Sequence, residues 1–241
     1  MADSSFDAWI KYYRADENTP NAVVSYYAKG SLVGCALDLT LRRAGVTSLD
    51  ALMRELWKRY GERGLGVPED GIPLLASELA GCDLSDFFAR YVYGTEDPPL
   101  DDLLAEFGVT FRLRAPLDAR DRGGKPDARE PPRCTLGAKV TDDQKLTHVF
   151  RDGPAGRAGL SAGDILVALD GIKSSADVVA AALGRHQPGD TIEVHAFRRD
   201  ELQIYSVTLG PASADTCYLT LDATCSAEAK ARRDAWLSSP P

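Results

Sequence analysis

The feature that most constrains this chain is a change of hydrophobic period along its length. Up to about residue 115 the apolar residues recur at helical spacing. Beyond residue 134 they fall into short β-rich runs separated by turn signals. Between the two lies Pro116–Cys134, which contains Arg120-Asp121-Arg122-Gly123-Gly124-Lys125-Pro126 and then Pro131-Pro132. This stretch has almost nothing apolar to bury and reads as a solvated linker. A helical stripe cannot serve as a strand face, so the expectation is a multidomain α+β protein. Its parts are a helical region over residues 1–115, a linker over 116–134, a β domain over 135–210 and a strand-plus-helix tail over 211–241.

In the first part, apolar residues are nearly continuous from Ala22 to Ala44, predicting a helix buried on most sides, with Gly30 and Gly34 allowing close approach of another backbone. Thr47-Ser48-Leu49-Asp50 is a helix-start signal. Leu49, Leu52, Met53, Leu56, Trp57 and Tyr60 follow at helical spacing, and Gly61 supplies a stop. A further helix runs from Val67-Pro68 to Gly81, and another carries Leu84, Phe87, Phe88, Tyr91 and Val92 behind a capping Asp83. A short helix over 100–107 and an alternating strand, Val109 to Leu113, close the region.

The second part predicts strands over 136–140, 146–150, 165–169, 191–197 and 203–209, with helices near 154–158 and over 176–183. In the tail, Cys217–Leu221 reads as a strand and Ala227–Leu237 as a helix anchored by Trp236.

The balance of 28 basic against 36 acidic side chains, net −8, argues against a nucleic-acid or anionic-membrane surface. No run approaches the ~18 apolar residues that a membrane span needs. The first residues lack a basic and then apolar leader, so no export signal is expected on this chain. The cytoplasm and the periplasm both fit. Five cysteines without a C-x-x-C pair exclude a Cys-rich zinc module; Cys217 and Cys225 are candidates for pairing in an oxidising compartment only. The three histidines, His148, His186 and His195, all fall in the β-rich part, His186 as a surface turn residue.

The string Asp152-Gly153-Pro154-Ala155-Gly156-Arg157-Ala158-Gly159-Leu160-Ser161-Ala162-Gly163-Asp164-Ile165-Leu166, ending at Asp170-Gly171, resembles the bacterial type of PDZ domain. Gly159 and Gly163 suit turns, and Ala158, Leu160, Ile165 and Val167 are core candidates. The resemblance implies a PDZ-like β-barrel with two helices. It also implies that an extended peptide or protein C-terminus adds as a strand beside the helix 176–183. The candidate peptide-binding residues are Leu136, Gly137 and Ala138, the loop that would take a terminal carboxylate, with Val178 and Ala182 on the helix. The plainer reading of Leu136 and Val178 is core packing.

Upstream, Ser25-Tyr26-Tyr27-Ala28-Lys29-Gly30-Ser31-Leu32-Val33 and Phe87-Phe88-Ala89-Arg90-Tyr91-Val92-Tyr93-Gly94 resemble the glycyl aminopeptidases, gluzincin-type zinc metallopeptidases that carry a C-terminal PDZ domain. The order of helical region, linker and PDZ agrees. The resemblance implies that Tyr27, with Tyr26 the weaker candidate, donates its phenolic hydrogen bond to the oxyanion of the tetrahedral intermediate. A neutral phenol, pKa ~10, is a competent donor at neutral pH. Lys29 and Gly30 read as packing and local electrostatics, and Asp16, Glu17 and Asn18 as a capped polar loop beside the cleft.

The family's zinc is held by H-E-x-x-H and a downstream Glu, and this sequence contains no H-E-x-x-H. The expectation is therefore a C-terminal piece of the peptidase that has no metal ligands or cofactor of its own and is inactive alone. Its zinc would be held by the upstream catalytic region of the same parent. The reading from another class is a non-catalytic PDZ adaptor that binds peptide C-termini.

Overall fold

A computed structural model describes residues 2–44, 47–118 and 120–238. Readings that touch Met1, or the last three residues of the tail, lie outside the described residues. The chain divides into two compact units, Tyr27–Arg112 with Leu219–Pro241, and Met1–Tyr26 with Leu113–Tyr218.

The helices are α1 (Ala2–Phe6), α2 (Thr19–Ala22), α3 (Tyr26–Arg43), α4 (Leu49–Arg59), α5 (Gly71–Ala80), α6 (Ser85–Phe87), α7 (Leu100–Ala105), α8 (Pro154–Ala158), α9 (Ala176–Arg185) and α10 (Ala227–Leu237). The strands are β1 (Val109–Arg114), β2 (Cys134–Thr135), β3 (Ala138–Val140), β4 (Leu146–Val149), β5 (Ile165–Leu169), β6 (Ile172–Lys173), β7 (Thr191–Arg198), β8 (Glu201–Thr208), β9 (Gly210–Pro211) and β10 (Thr216–Leu221). No described helix is long and apolar enough to cross a membrane.

The helical unit is built on one core: Leu39 and Leu41 of α3, Leu52 and Leu56 of α4, Leu75 of α5, and Phe87, Phe88, Leu104 and Phe107. Ser48 caps α4 by accepting from Ala51 N–H (3.2 Å), and Asp38 takes the neighbouring Leu49 N–H (2.9 Å). The apolar run of α6 continues as one π-helical turn, Phe88–Val92. Trp236 of α10 packs edge-to-face on Phe107, ring centroids 5.7 Å apart. The expectation of a helix buried on most sides holds only for the second half of α3. Tyr27, Ala28, Gly30, Ser31 and Leu32 in its first half are exposed or only half-buried. A Cβ at Gly30 or Gly34 would meet nothing within 4 Å among the described residues, so no backbone approaches there.

The other unit has its own core of Leu136, Leu146, Leu160, Leu166, Leu169, Ile192, Val194 and Val207. Its β5, β6, β7 and β8 form a four-stranded antiparallel sheet in the order β6-β5-β7-β8, while β2 pairs with β9 and β3 with β4. A separate two-stranded ribbon joins β1 and β10. The α+β class holds, but these sheets do not close into the expected barrel. One reason is local: Gly137 between β2 and β3 has φ +70°, which turns the chain and ends the ladder.

Ile165, a core candidate by sequence, is 43% exposed, while Leu166 and Leu169 fill the core. A register shift between Leu166 and Ala168 in the pairing with β7 explains this, since the extra residue lets two side chains three apart share one face.

The segment read as a solvated linker is partly tied down. Asp121 is held by Arg114 and accepts from the backbone N–H of Leu117 and Gly123, both at 2.9 Å. Gly124 N–H donates to Cys217 O at 2.8 Å. Charge and backbone contacts fix this stretch without apolar burial, so a hydropathy reading cannot register them. All five cysteines are free thiols in the structure, Cys217 and Cys225 included.

Candidate functional site

The tyrosine-rich segment and the first turn of α3 hold the aminopeptidase-like residues. Asp16 organises the approach as an Asx turn, its Oδ1 accepting from Asn18 N–H (2.9 Å) and Thr19 Oγ1 (3.2 Å), so the polar loop is self-capped as expected. Tyr26 faces an aromatic cluster: its ring lies 4.9 Å from that of Tyr12, and its hydroxyl donates to Tyr13 Oη at 3.4 Å. Tyr12 in turn shares a hydrogen bond with Ser25 (3.0 Å). Tyr27, one residue on, is 56% exposed. The two adjacent phenols thus differ in burial, Tyr26 being partly buried and Tyr27 exposed.

Lys29 does more than pack. Its ammonium donates to Glu96 O at 3.1 Å and pairs with Asp97. Arg90 reaches the side chain of the same Glu96 with Nε at 2.9 Å and Nη2 at 2.7 Å, and lies over the Tyr91 ring. That guanidinium holds the Glu96 carboxyl below the usual carboxylate range. The two sequence blocks that carry the resemblance therefore meet through Lys29, Glu96 and Arg90. Sequence reading assigns Lys29 no partner, because Glu96 lies 67 residues away.

In the PDZ-like body, the loop Leu136-Gly137-Ala138 is held from behind. Ala155 N–H donates to Leu136 O (2.8 Å) and Phe150 N–H to Gly137 O (3.0 Å). A Cβ at Gly137 would lie 2.7 Å from Pro154 Cδ and 2.8 Å from Gly153 Cα, so glycine is required for space as well as for φ. Leu136 (3% exposed) and Ala182 (2%) are members of the core, while Ala138 and Val178 are half-buried. Of the five candidates, Leu136, Gly137 and Ala182 are buried, and only Ala138 and Val178 are partly open to a ligand.

Ser175 caps α9 through Val178 N–H at 3.2 Å. His186 ends α9 with its ring between Asp170 (3.5 Å) and Asp190 (3.4 Å). Sequence reading misses Asn21, whose side chain binds the backbone at the end of β4. Nothing local in the sequence marks it.

Among the described residues no three His, Cys, Asp or Glu side chains gather as a metal-binding set. The described residues do not fit a zinc site.

Residues 1–33 match the M61 glycyl aminopeptidase family, and residues 107–209 match the PDZ domain. The chain is similar to the crystal structure of an aminopeptidase N family protein from Idiomarina loihiensis at 36% identity and TM-score 0.86; the match covers 98% of this chain and 40% of that one. It is also 38% identical over 60 residues to a probable periplasmic serine endoprotease, DegP-like, of Halomonas elongata, covering 24% of this chain and 13% of that protein. The chain thus spans well under half the length of either relative. It joins a segment that matches the M61 glycyl aminopeptidase family to a segment that matches the PDZ domain.

Proposed function

We propose that this chain is the part of a zinc-dependent aminopeptidase, acting on small N-terminal residues, that supplies the oxyanion-stabilising tyrosine and a peptide-binding PDZ domain. The metal comes from another region of the parent, and the chain alone releases no N-terminal residues. Tyr27 donates its phenolic hydrogen bond to the oxygen that becomes negative as the scissile carbonyl turns tetrahedral. Such a donor acts by being stronger toward the transition state than toward the substrate. Lys29 and Arg90, through Glu96, keep the first turn of α3 in place, which makes Lys29 a positioning residue.

The observation that carries the reading is the exposure of Tyr27 in the first turn of α3, within the string that matches the aminopeptidase family. The family match over residues 1–33 supports the peptidase reading over an adaptor. The experiment is steady-state hydrolysis of glycyl-p-nitroanilide by the full-length peptidase. Tyr27→Phe is expected to lower kcat by about 10²–10³ with little change in KM, the size of losing one oxyanion donor. Tyr26→Phe has the smaller effect. Full kcat in Tyr27→Phe, or glycine release by the isolated chain, defeats the proposal.

A further inference from the structure

Gly137, in the left-handed region at φ +70°, turns the chain between β2 and β3. The carbonyls of Leu136 and Gly137 are taken by Ala155 and Phe150. The N–H side of such a turn is a concavity suited to an anion, and in a peptide groove that anion is a terminal carboxylate. Here a group of the chain itself already reaches this side. The N–H of Gly137 donates to Oγ1 of Thr135 at 3.0 Å. Thr135 is partly buried at the end of β2, paired opposite Gly210, so its backbone is fixed and only the hydroxyl can leave.

We propose that the Thr135 hydroxyl competes with a ligand's terminal carboxylate for the Gly137 N–H and so sets what the groove selects. This rests on the peptide-binding reading above and deepens it. A ligand that enters as a strand beside β3 still gains its main-chain bonds, but its carboxylate must displace Thr135 to gain one more. The groove is thereby tuned toward extended segments irrespective of a free C-terminus. A domain with this loop unoccupied would depend on the carboxylate. Removing the hydroxyl at constant shape should therefore restore carboxylate dependence.

The test uses the whole chain and a pooled, labelled hexapeptide library made in matched C-terminal acid and amide forms, with binding read by fluorescence anisotropy. Wild type is expected to bind the two forms within about threefold of each other. Thr135→Val should tighten the acid form about fivefold, the worth of one ordinary hydrogen bond, and leave the amide unchanged. Thr135→Ser, which keeps the acceptor, should match wild type. Hydrogen exchange at the Gly137 amide gives a readout independent of any ligand, and it should quicken in Thr135→Val alone. A strong acid preference in wild type that Thr135→Val does not alter overturns the proposal and leaves the peptide groove standing. No binding of either form by any variant removes the groove reading and the proposal with it. Unchanged Gly137 exchange in Thr135→Val removes the proposal by itself.

Discussion

The side-chain amide of Asn21 pairs with the backbone beside Val149 as a strand would: Nδ2 donates to Val149 O at 2.9 Å, and Oδ1 accepts from Arg151 N–H at 3.0 Å. Phe150, between those two residues, donates to the carbonyl of Gly137. Residues 1–26, the larger part of the segment that matches the aminopeptidase family, thus share one compact unit with the PDZ-like body and are hydrogen-bonded to it. This pair of bonds helps to group residues 1–26 with residues 113–218, where hydrophobic period alone draws one helical region to residue 115.

Asn21→Ala should cost about 1–2 kcal/mol, because it removes two hydrogen bonds, each worth about 0.5–1.5 kcal/mol net of water. Asn21→Asp should cost more, since a carboxylate offers no donor to Val149 O. The check is amide exchange at Arg151, which should accelerate in both variants. An unchanged rate at Arg151 would show the contact does not form.

Asp164 is 1% exposed, and its carboxylate is fully engaged. Arg198 donates Nε to Oδ1 (2.9 Å) and Nη2 to Oδ2 (2.8 Å), and Ser161 N–H donates to Oδ2 (2.9 Å). Arg198→Met would leave that buried carboxylate without its cation. It is expected to lower stability by about 2–3 kcal/mol, reduced from the fully buried case because the guanidinium is partly exposed. Urea unfolding measures this, and a loss below about 0.5 kcal/mol would mean the pair is a surface pair in effect.

The hydroxyl of Tyr205 is buried and meets no hydrogen-bond partner among the described residues. Burial pushes this phenol above its ordinary pKa, with the Asp164 charge adding to it. Removing a buried, unpaired polar atom relieves its desolvation, so Tyr205→Phe should leave stability unchanged or raise it by up to about 1 kcal/mol. The Arg198 guanidinium 5.7 Å from the ring centroid keeps its aromatic neighbour in that variant. A clear loss of thermal stability would reveal a partner for the hydroxyl.

Asp121 is held well below the usual carboxylate range, first by the Arg114 guanidinium and then by the Leu117 and Gly123 N–H groups. A depressed folded-state pKa stabilises above the unfolded value, near ~3.9, and that stabilisation is lost as pH falls through the folded value. The difference in urea midpoint between wild type and Asp121→Asn should stay level from neutral pH to about 4.5 and shrink only below about pH 4. A difference that shrinks between pH 7 and 5 would assign the effect to another group.

Much of the local structure can be read without coordinates because its causes are local. The alternation of Val109 to Leu113 is absent from the helical stripes, and a cap residue acts within three positions of itself. Ser48 and Ser175 therefore mark their helices, Gly81 closes α5 at φ +68°, and α10 spans the predicted Ala227–Leu237. The family resemblance is legible for the same reason, since it rests on contiguous strings.

What the sequence alone determined is thus the order of elements, the two structural classes and the identity of the phenol pair at Tyr26 and Tyr27. Only the tertiary structure decided which phenol is exposed, that the bulge in β5 turns Ile165 outward, that Asp121 anchors a charged stretch, and that Asn21 reaches Val149 across 128 residues. Those outcomes depend on partners far away in the chain, and neither hydrophobic period nor local propensity carries information about who those partners are.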